Sequence, residues 1–467
     1  MNNEHFNWTV SDIIRAVNGQ HLFGEVSHSF VNISTDSRTV DSDSLFIAII
    51  GDNFDSHTFI PDVIQKNVRG IIIQKDKISQ QQLSSWKKPD LFCAAVPDTT
   101  QALGDLAHYQ RMKWPGSVIG ITGTNGKTSV KEMTAAVLST TFNTIKTQGN
   151  FNNHIGVPKT LFQIQQKHEW AIVEMGMNHP GEIAYLAKIS NPTIGIITNI
   201  GPGHLEGVQS IEGVKNAKSE LFQYLPKNGV AILNADDPLV ISLCDRLPCP
   251  MISYGMNARA DVYATKITEN IDGCRFTLKA YDCSIDIVLP AHGRFMILNA
   301  LAAAATGFYL NIPIESIKAG LESFSPIHGR LTIHHSTNGF HIIDDTYNAN
   351  PSSMKAALDT LKELSQSNHC YLVCGDMYEL GKNSKQYHKE IGEYASNSGI
   401  TGLFATGMYS SDVINGAYQS GLKSNALHQG TIENLAKTLL KQLEPGDWIL
   451  VKGSRAMKME RFVNQLL

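Results

Sequence analysis

Long apolar runs, paired cysteines and an excess of basic charge are all missing from these 467 residues, and each absence removes a class of function. The longest apolar stretch, Ile297 to Leu310, is interrupted by Asn299 and Thr306. It falls short of the roughly 20 residues a membrane span requires and reads as a buried helix. Seven cysteines, at 93, 244, 249, 274, 283, 370 and 374, are odd in number and never spaced Cys-x-x-Cys. That spacing argues against a disulfide framework or a thiolate metal site and fits reduced thiols in a cytoplasmic protein. No signal-like apolar segment follows Met1. Lys and Arg number 39 against 43 Asp and Glu, so no basic field is available to grip a phosphate backbone, which argues against a nucleic-acid partner. Repeats and low-complexity tracts are absent as well.

What is present is an ordinary globular composition, 42% hydrophobic and 18% charged, long enough for roughly three domains of about 150 residues. Residues 1–113 alternate short apolar runs (Leu45 to Ile50, Gly70 to Ile73, Leu91 to Val96) with helical stretches such as Thr99 to Met112, the pattern of a small α/β unit. Trp114-Pro115-Gly116 breaks that helix and opens a second unit, 114–324. Its β-rich runs Ser117 to Thr122, Trp170 to Met175 and Thr193 to Asn199 are separated by helix-length intervals, as in buried parallel strands joined by helices. A third unit, 325–467, has strand candidates at Phe340 to Asp344, Tyr371 to Cys374, Gly402 to Thr406 and Trp448 to Val451. Helical patterns at Ser352 to Leu364, Asn383 to Ser396 and Ile432 to Leu443 lie between them, which predicts a doubly wound, Rossmann-like sheet.

A glycine is also missing from the most telling motif. The stretch Gly120-Ile121-Thr122-Gly123-Thr124-Asn125-Gly126-Lys127-Thr128-Ser129 resembles a phosphate loop, but Ile121 stands where the strict spacing has glycine. The chemistry survives the shortening: Gly123 and Gly126 permit a tight turn whose N–H groups can face phosphate oxygens, Lys127 supplies a cation, and the Thr128 hydroxyl can reach Mg²⁺. Val130, Met133, Val137 and Leu138 then mark one apolar helix face. This predicts a nucleotide site.

Ligands in open α/β sheets lie beyond the carboxyl ends of strands. Two further strands of this unit end in metal-competent side chains, Glu174 and His204, which beside a phosphate loop can hold Mg²⁺. Taken alone, either is equally well a core or surface residue, and Lys218, on a polar helical segment, reads as a solvated lysine. In the third unit, Asp344-Asp345-Thr346-Tyr347-Asn348-Ala349-Asn350 ends a strand just before a helix. Capping explains Asn350 but not the whole cluster. Gly375-Asp376-Met377 and Lys452-Gly453-Ser454-Arg455 are similar strand-end loops, the latter with two cations able to meet an anion.

Taken together, these stretches resemble the ATP-dependent Mur ligases over nearly the whole chain. The loop Gly-Thr-Asn-Gly-Lys-Thr, Val-Glu-Met-Gly around Glu174, Asn199 to His204 and Ala217-Lys218-Ser219-Glu220 carry the family likeness. Asn150-Phe151-Asn152-Asn153-His154-Ile155-Gly156, Asp345 to Pro351, Gly375 to Gly381 and Lys452 to Arg455 are similar to the MurF type, which joins D-alanyl-D-alanine to UDP-N-acetylmuramoyl-tripeptide. Ser34-Thr35-Asp36-Ser37-Arg38 and Gly51 to His57 look like the uridine-nucleotide-binding part shared with MurE-type enzymes; the Asp-Asn-Pro-Arg motif of the diaminopimelate-adding MurE kind is absent here.

The resemblance implies a monomer with ATP and Mg²⁺ as cofactors, and no membrane or nucleic-acid partner. Gly123, Thr124, Asn125, Gly126, Lys127, Thr128 and Ser129 would hold ATP together with Asn299, Arg330, Asp345, Tyr347, Asn348 and Asn350. Thr128, Glu174, His204 and a carbamylated Lys218 would hold the metal, and Lys127, Glu174, His204 and Lys218 would serve catalysis. Ser37, Arg38, Asp55, His57, Asn150, Asn152 and Asn153 would bind substrate, and the third domain would close on the second before chemistry. One departure from the family pattern is Phe295-Met296 after Gly293-Arg294, where His-Asn is usual. Another ligase of the superfamily, taking a different amino acid, and a non-catalytic nucleotide-binding module are the competing readings.

Overall fold

The structure is a computed structural model that describes residues 6–51 and 54–467. Asp52 and Asn53, part of the uridine-side motif, lie outside the described residues. Three large sheets follow one another along the chain, besides a two-stranded antiparallel pair of Trp8–Thr9 with Ser29–Phe30. In the first, strands run in the order Gln20–Phe23, Phe92–Val96, Gly70–Gln74, Ser44–Ile47, Asn32–Ser34, parallel except at the Gln20–Phe23 edge. Ile72 enters one core layer and Ile71 and Ile73 the other, which is why Gly-Ile-Ile-Ile reads as an unbroken apolar run. Helix Thr99–Lys113 starts where the Asp98 carboxylate accepts from the N–H groups of Thr100 and Gln101. It places Leu103 and Leu106 in the first core and Ala107 in the second.

The central sheet has nine strands. Ser117–Thr122 is flanked by Ile194–Ile197 on one side and Trp170–Glu174 on the other, all parallel. Ile119 and Ile121 face the helices Lys127–Leu138 and Arg294–Tyr309, while Val118 faces the opposite layer. Fully burying such a side chain contributes about 1.5–3 kcal/mol. The strand is therefore a firm anchor, whereas the loop after it carries no large apolar group and depends on hydrogen bonds. Helix Arg294–Tyr309 is buried over most of its length, as its composition predicts. Strand Val230–Asn234, which pairs with Ile194–Ile197, and the segment Val262–Leu289 are not anticipated from the sequence. The latter adds three strands, Val262–Asn270, Gly273–Ala280 and Cys283–Leu289, whose mutual pairing is antiparallel. The central sheet is thus parallel in its site-forming part and mixed overall.

The third sheet runs Thr332–His335, His341–Asp345, Trp448–Lys452, Cys370–Cys374, Gly402–Ala405, Leu427–Gln429. It is parallel beyond the first pair and has apolar layers on both faces. Trp448–Lys452, last in sequence, lies between His341–Asp345 and Cys370–Cys374, so the strand order reverses there. A ligand crevice belongs at such a point.

Candidate active site

The turn after Ser117–Thr122 is wired from its neighbour strand. Thr124 donates its N–H to the Asn199 carbonyl at 2.9 Å, Asn125 N–H to Asn199 Oδ1 at 2.9 Å, and Thr198 Oγ1 donates to the Asn125 carbonyl. Gly126 opens helix Lys127–Leu138 at φ 80°, and a Cβ there would meet Asn299 Oδ1 at 2.4 Å. This close approach brings Asn299 onto the loop and demands glycine on two counts. Lys127 Nζ donates to the carbonyls of Gly123 and Thr124 at 2.8 and 3.2 Å. Burial foremost, with Arg330 adding repulsion, lowers its pKa, while Glu174 and Glu379 oppose the shift. The Thr128 hydroxyl accepts from Arg330 Nη2 at 2.9 Å, and the Arg330 guanidinium lies 4.2 Å from the centre of the Tyr347 ring.

Flanking strands deliver the remaining charges. Glu174 is buried; its Oε1 accepts from Asn152 Nδ2 at 2.7 Å, and its Oε2 accepts no hydrogen bond among the described residues. His204 adopts φ 54° and sets Nδ1 2.7 Å from Glu379 Oε2, and that contact is the leading cause of a lowered Glu379 pKa. Lys218, on helix Ile211–Ser219, is not the solvated residue its polar neighbours suggest: it is 1% exposed. Its amine makes no hydrogen bond or ion pair among the described residues. Burial first, then the nearby charge of Lys127, holds its pKa well below the ordinary lysine value.

The carboxyl ends of the third sheet face the phosphate loop. Asn350 caps helix Pro351–Ser365 through the Ser353 N–H and at the same time pairs with Asn125, its Nδ2 donating to Asn125 Oδ1 at 2.7 Å. Capping and site roles therefore coexist in one side chain. Of the two cations in Lys452-Gly453-Ser454-Arg455, Lys452 is buried and committed, donating to Asp345 Oδ2 at 2.5 Å and the Asn348 carbonyl at 2.7 Å. Arg455 is largely exposed, with one long contact to Glu460. A single cavity of about 1240 Å³ is lined by Thr124 to Ser129, Glu174, His204, Asn299, Arg330, Asp345, Tyr347, Asn348 and Asn350, and also by Asn150, Asn152 and Asn153. Lys218 is not among the lining residues.

Comparison with known proteins identifies the arrangement. Residues 121–307 match the Mur ligase middle domain and 329–455 the Mur ligase, glutamate ligase domain. The chain is 36% identical over 461 residues to the UDP-N-acetylmuramoyl-tripeptide--D-alanyl-D-alanine ligase of Escherichia coli (strain K12), covering 98% of each chain. The chain belongs to the Mur ligase family. It is an ATP-dependent ligase. The enzyme of the same name from Bacillus subtilis (strain 168) is 34% identical over 460 residues, with 98% of each covered. Among solved structures, MurF from Acinetobacter baumannii superposes with a TM-score of 0.90 at 31% identity, covering 99% of both chains. MurF ligase from Thermotoga maritima in complex with ADP gives 0.82 at 25% identity, covering 93% of this chain and 96% of the other.

Within this Mur ligase, the amino-terminal residues chosen from sequence are not brought to the cavity lining. Arg38 lies against Asp36, donating to both carboxylate oxygens. The Ser37 carbonyl accepts from Lys66. Asp55 accepts from the His57 N–H and lies 2.6 Å from His57 Nδ1, while His57 Nε2 accepts from the Gln74 N–H; the pair pins a turn to the first sheet. Sequence reasoning passed over other residues. Asn234 donates to the Thr198 carbonyl and Asp237 Oδ2 accepts from the Ile200 N–H, and both line the cavity. Their signal was the buried run Val-Ala-Ile-Leu ending in Asn-Ala-Asp-Asp-Pro. Glu379 was passed over because its partner, His204, is distant in sequence. The departing residues Phe295 and Met296 line the cavity too, and Met296 Sδ lies 3.4 Å from Asn299 Nδ2.

Proposed function

We propose that this Mur ligase joins D-alanyl-D-alanine to UDP-N-acetylmuramoyl-tripeptide at the expense of ATP, as its full-length relatives are named for doing. It would act in the cytoplasm as a monomer of three functional domains, 1–113, 114–324 and 325–467. The observation that carries this is the shared cavity: the phosphate loop, the asparagine-rich loop 150–153 and the third-sheet loops all line one space, so three reactants can meet. Lys127, the loop N–H groups and Arg330 would hold the triphosphate, with Asn299, Asp345, Tyr347, Asn348 and Asn350 on the nucleoside side. The peptide carboxylate attacks the γ-phosphorus in line, ADP departs, and an acyl phosphate forms. The dipeptide amine then adds to the acyl carbon, loses its proton, and expels inorganic phosphate to leave an amide.

The residues fit a divalent cation: the buried Oε2 of Glu174, which accepts no hydrogen bond among the described residues, is a hard oxygen donor, and the Thr128 hydroxyl and His204 line the same cavity. Mg²⁺ needs few protein ligands because it keeps water and phosphate oxygens in its shell. Bound there, Mg²⁺ would neutralise charge on the phosphate oxygens. Lys218 is buried and its pKa lies well below the ordinary lysine value, a shift toward the neutral amine that takes up CO₂, and as a carbamate it would be an anion near Lys127. Arg455 is the exposed cation left to meet the dipeptide's carboxylate.

Phosphate release measured with UDP-N-acetylmuramoyl-tripeptide, with and without D-alanyl-D-alanine, tests the assignment, together with the mass of the product. Release that depends on the dipeptide supports it; release that requires a single amino acid instead, or ATP binding with no turnover, sinks it.

A further inference from the structure

Lys131 is a buried ionisable group that the reaction above leaves without a role. It lies one turn beyond Lys127 on the same helix and is fully buried. It does not line the cavity. Its Nζ donates to the Gly149 carbonyl at 2.8 Å and stands 3.1 Å from Glu132 Oε1 and 3.8 Å from Glu174 Oε2.

Stability does not account for it, because replacing a buried ion pair by apolar groups of similar volume is often neutral or favourable. What distinguishes Lys131 is that its partners belong to three separate segments: the helix that carries the phosphate loop, the strand end at Glu174, and Gly149, whose left-handed φ of 52° opens the loop Asn150-Phe151-Asn152-Asn153. The Asn152–Glu174 hydrogen bond closes the circuit from the other end of that loop. The asparagine loop is therefore tied to the nucleotide side twice, once through Asn152 and once through Lys131. At 3.8 Å the ammonium supports the Glu174 charge without occupying a lone pair of Oε2.

We propose that Lys131 is a positioning residue that sets the asparagine loop, and with it the peptide carboxylate, against the phosphate loop. The inference rests on the proposed function and on Asn150, Asn152 and Asn153 being the residues that bind its tripeptide substrate. Its signature is a split in the kinetic constants, since the phosphate loop has its own anchors in Asn199 and Thr198.

The experiment uses the full chain with Lys131→Met, Lys131→Gln, Lys131→Arg and Asn152→Ala. Loss of a charge-assisted hydrogen bond predicts that Lys131→Met raises KM for UDP-N-acetylmuramoyl-tripeptide about tenfold or more, with KM for ATP within about twofold of the parent. Lys131→Arg should recover part of the loss. Lys131→Gln keeps a donor for Gly149 and removes the charge, so it reports even if the methionine variant does not fold. Because both ties act on one loop, Lys131→Met combined with Asn152→Ala should cost less than the product of the single effects. Equal rises in both KM values, no change in either, or fully multiplicative effects would overturn the proposal while leaving the ligase assignment standing. A parent enzyme that fails to consume ATP with both peptide substrates would overturn the assignment instead.

Discussion

At Gly126 a single methyl group decides between a phosphate loop and a clash. Gly126→Ala would place Cβ 2.4 Å from Asn299 Oδ1 on a backbone at φ 80°, and the left-handed conformation alone disfavours an L side chain by about 1–2 kcal/mol. The variant should unfold at lower urea and bind ATP more weakly; an unchanged midpoint would mean that the loop relaxes without strain. Lys218 makes a different prediction. Its folded pKa lies well below the ordinary 10.5, so between that lowered value and 10.5 the unfolded chain binds more protons than the native one, and stability rises with pH across that window. In CO₂-free buffer, Lys218→Met should remove that slope and be the more stable chain near pH 7. Parallel slopes for the two proteins in urea titrations from neutral to alkaline pH would show that the amine is charged in the fold. Residue identities such as Lys127 were legible because loop chemistry is local. Lys218 looked solvated because its neighbours in sequence are polar, and only packing reveals that it is buried.

Among the elements, the helix Pro351–Ser365 carries the clearest double duty. Asn350→Ser keeps a capping oxygen but loses the amide pair with Asn125, whereas Asn350→Ala loses both. Alanine should therefore be less stable than serine by about 1 kcal/mol, while kcat falls to a similar extent in the two; kinetics and denaturation on the same preparations check this, and a kcat unaffected by serine would confine Asn350 to capping. Strands such as Ser117–Thr122 and Trp448–Lys452, buried on both faces, announce themselves as apolar runs. The Val262–Leu289 segment did not, because half of its positions face solvent and its polar residues mask a period of two. The turns Asn270-Ile271-Asp272-Gly273 and Tyr281-Asp282 were its available signals.

For the whole molecule, Asn125 with Asn350 and Thr128 with Arg330 tie the third unit to the phosphate loop, while His204 with Glu379 and the Glu206 N–H to the Glu379 carbonyl tie it to the neighbouring strand-end segment. Glu379→Ala should loosen this arrangement, increasing the radius of gyration in solution scattering and lowering kcat. Scattering curves that superpose, combined with parental turnover, would rule out a role in closure. These contacts also mark the boundary of what the chain discloses in one dimension. The sequence by itself determined the fold class, the phosphate loop, the strand ends and the family likeness, since each is written within a few turns of backbone by periodicity, glycine placement and side-chain type. Tertiary structure alone decided that Asn350 meets Asn125 across 225 positions and Arg330 meets Thr128 across 202, that Lys218 and Lys131 are buried, and that Ser37, Arg38, Asp55 and His57 stand apart from the cavity. Those outcomes depend on how sheets pack, and packing is settled by the summed burial of residues far apart in the chain.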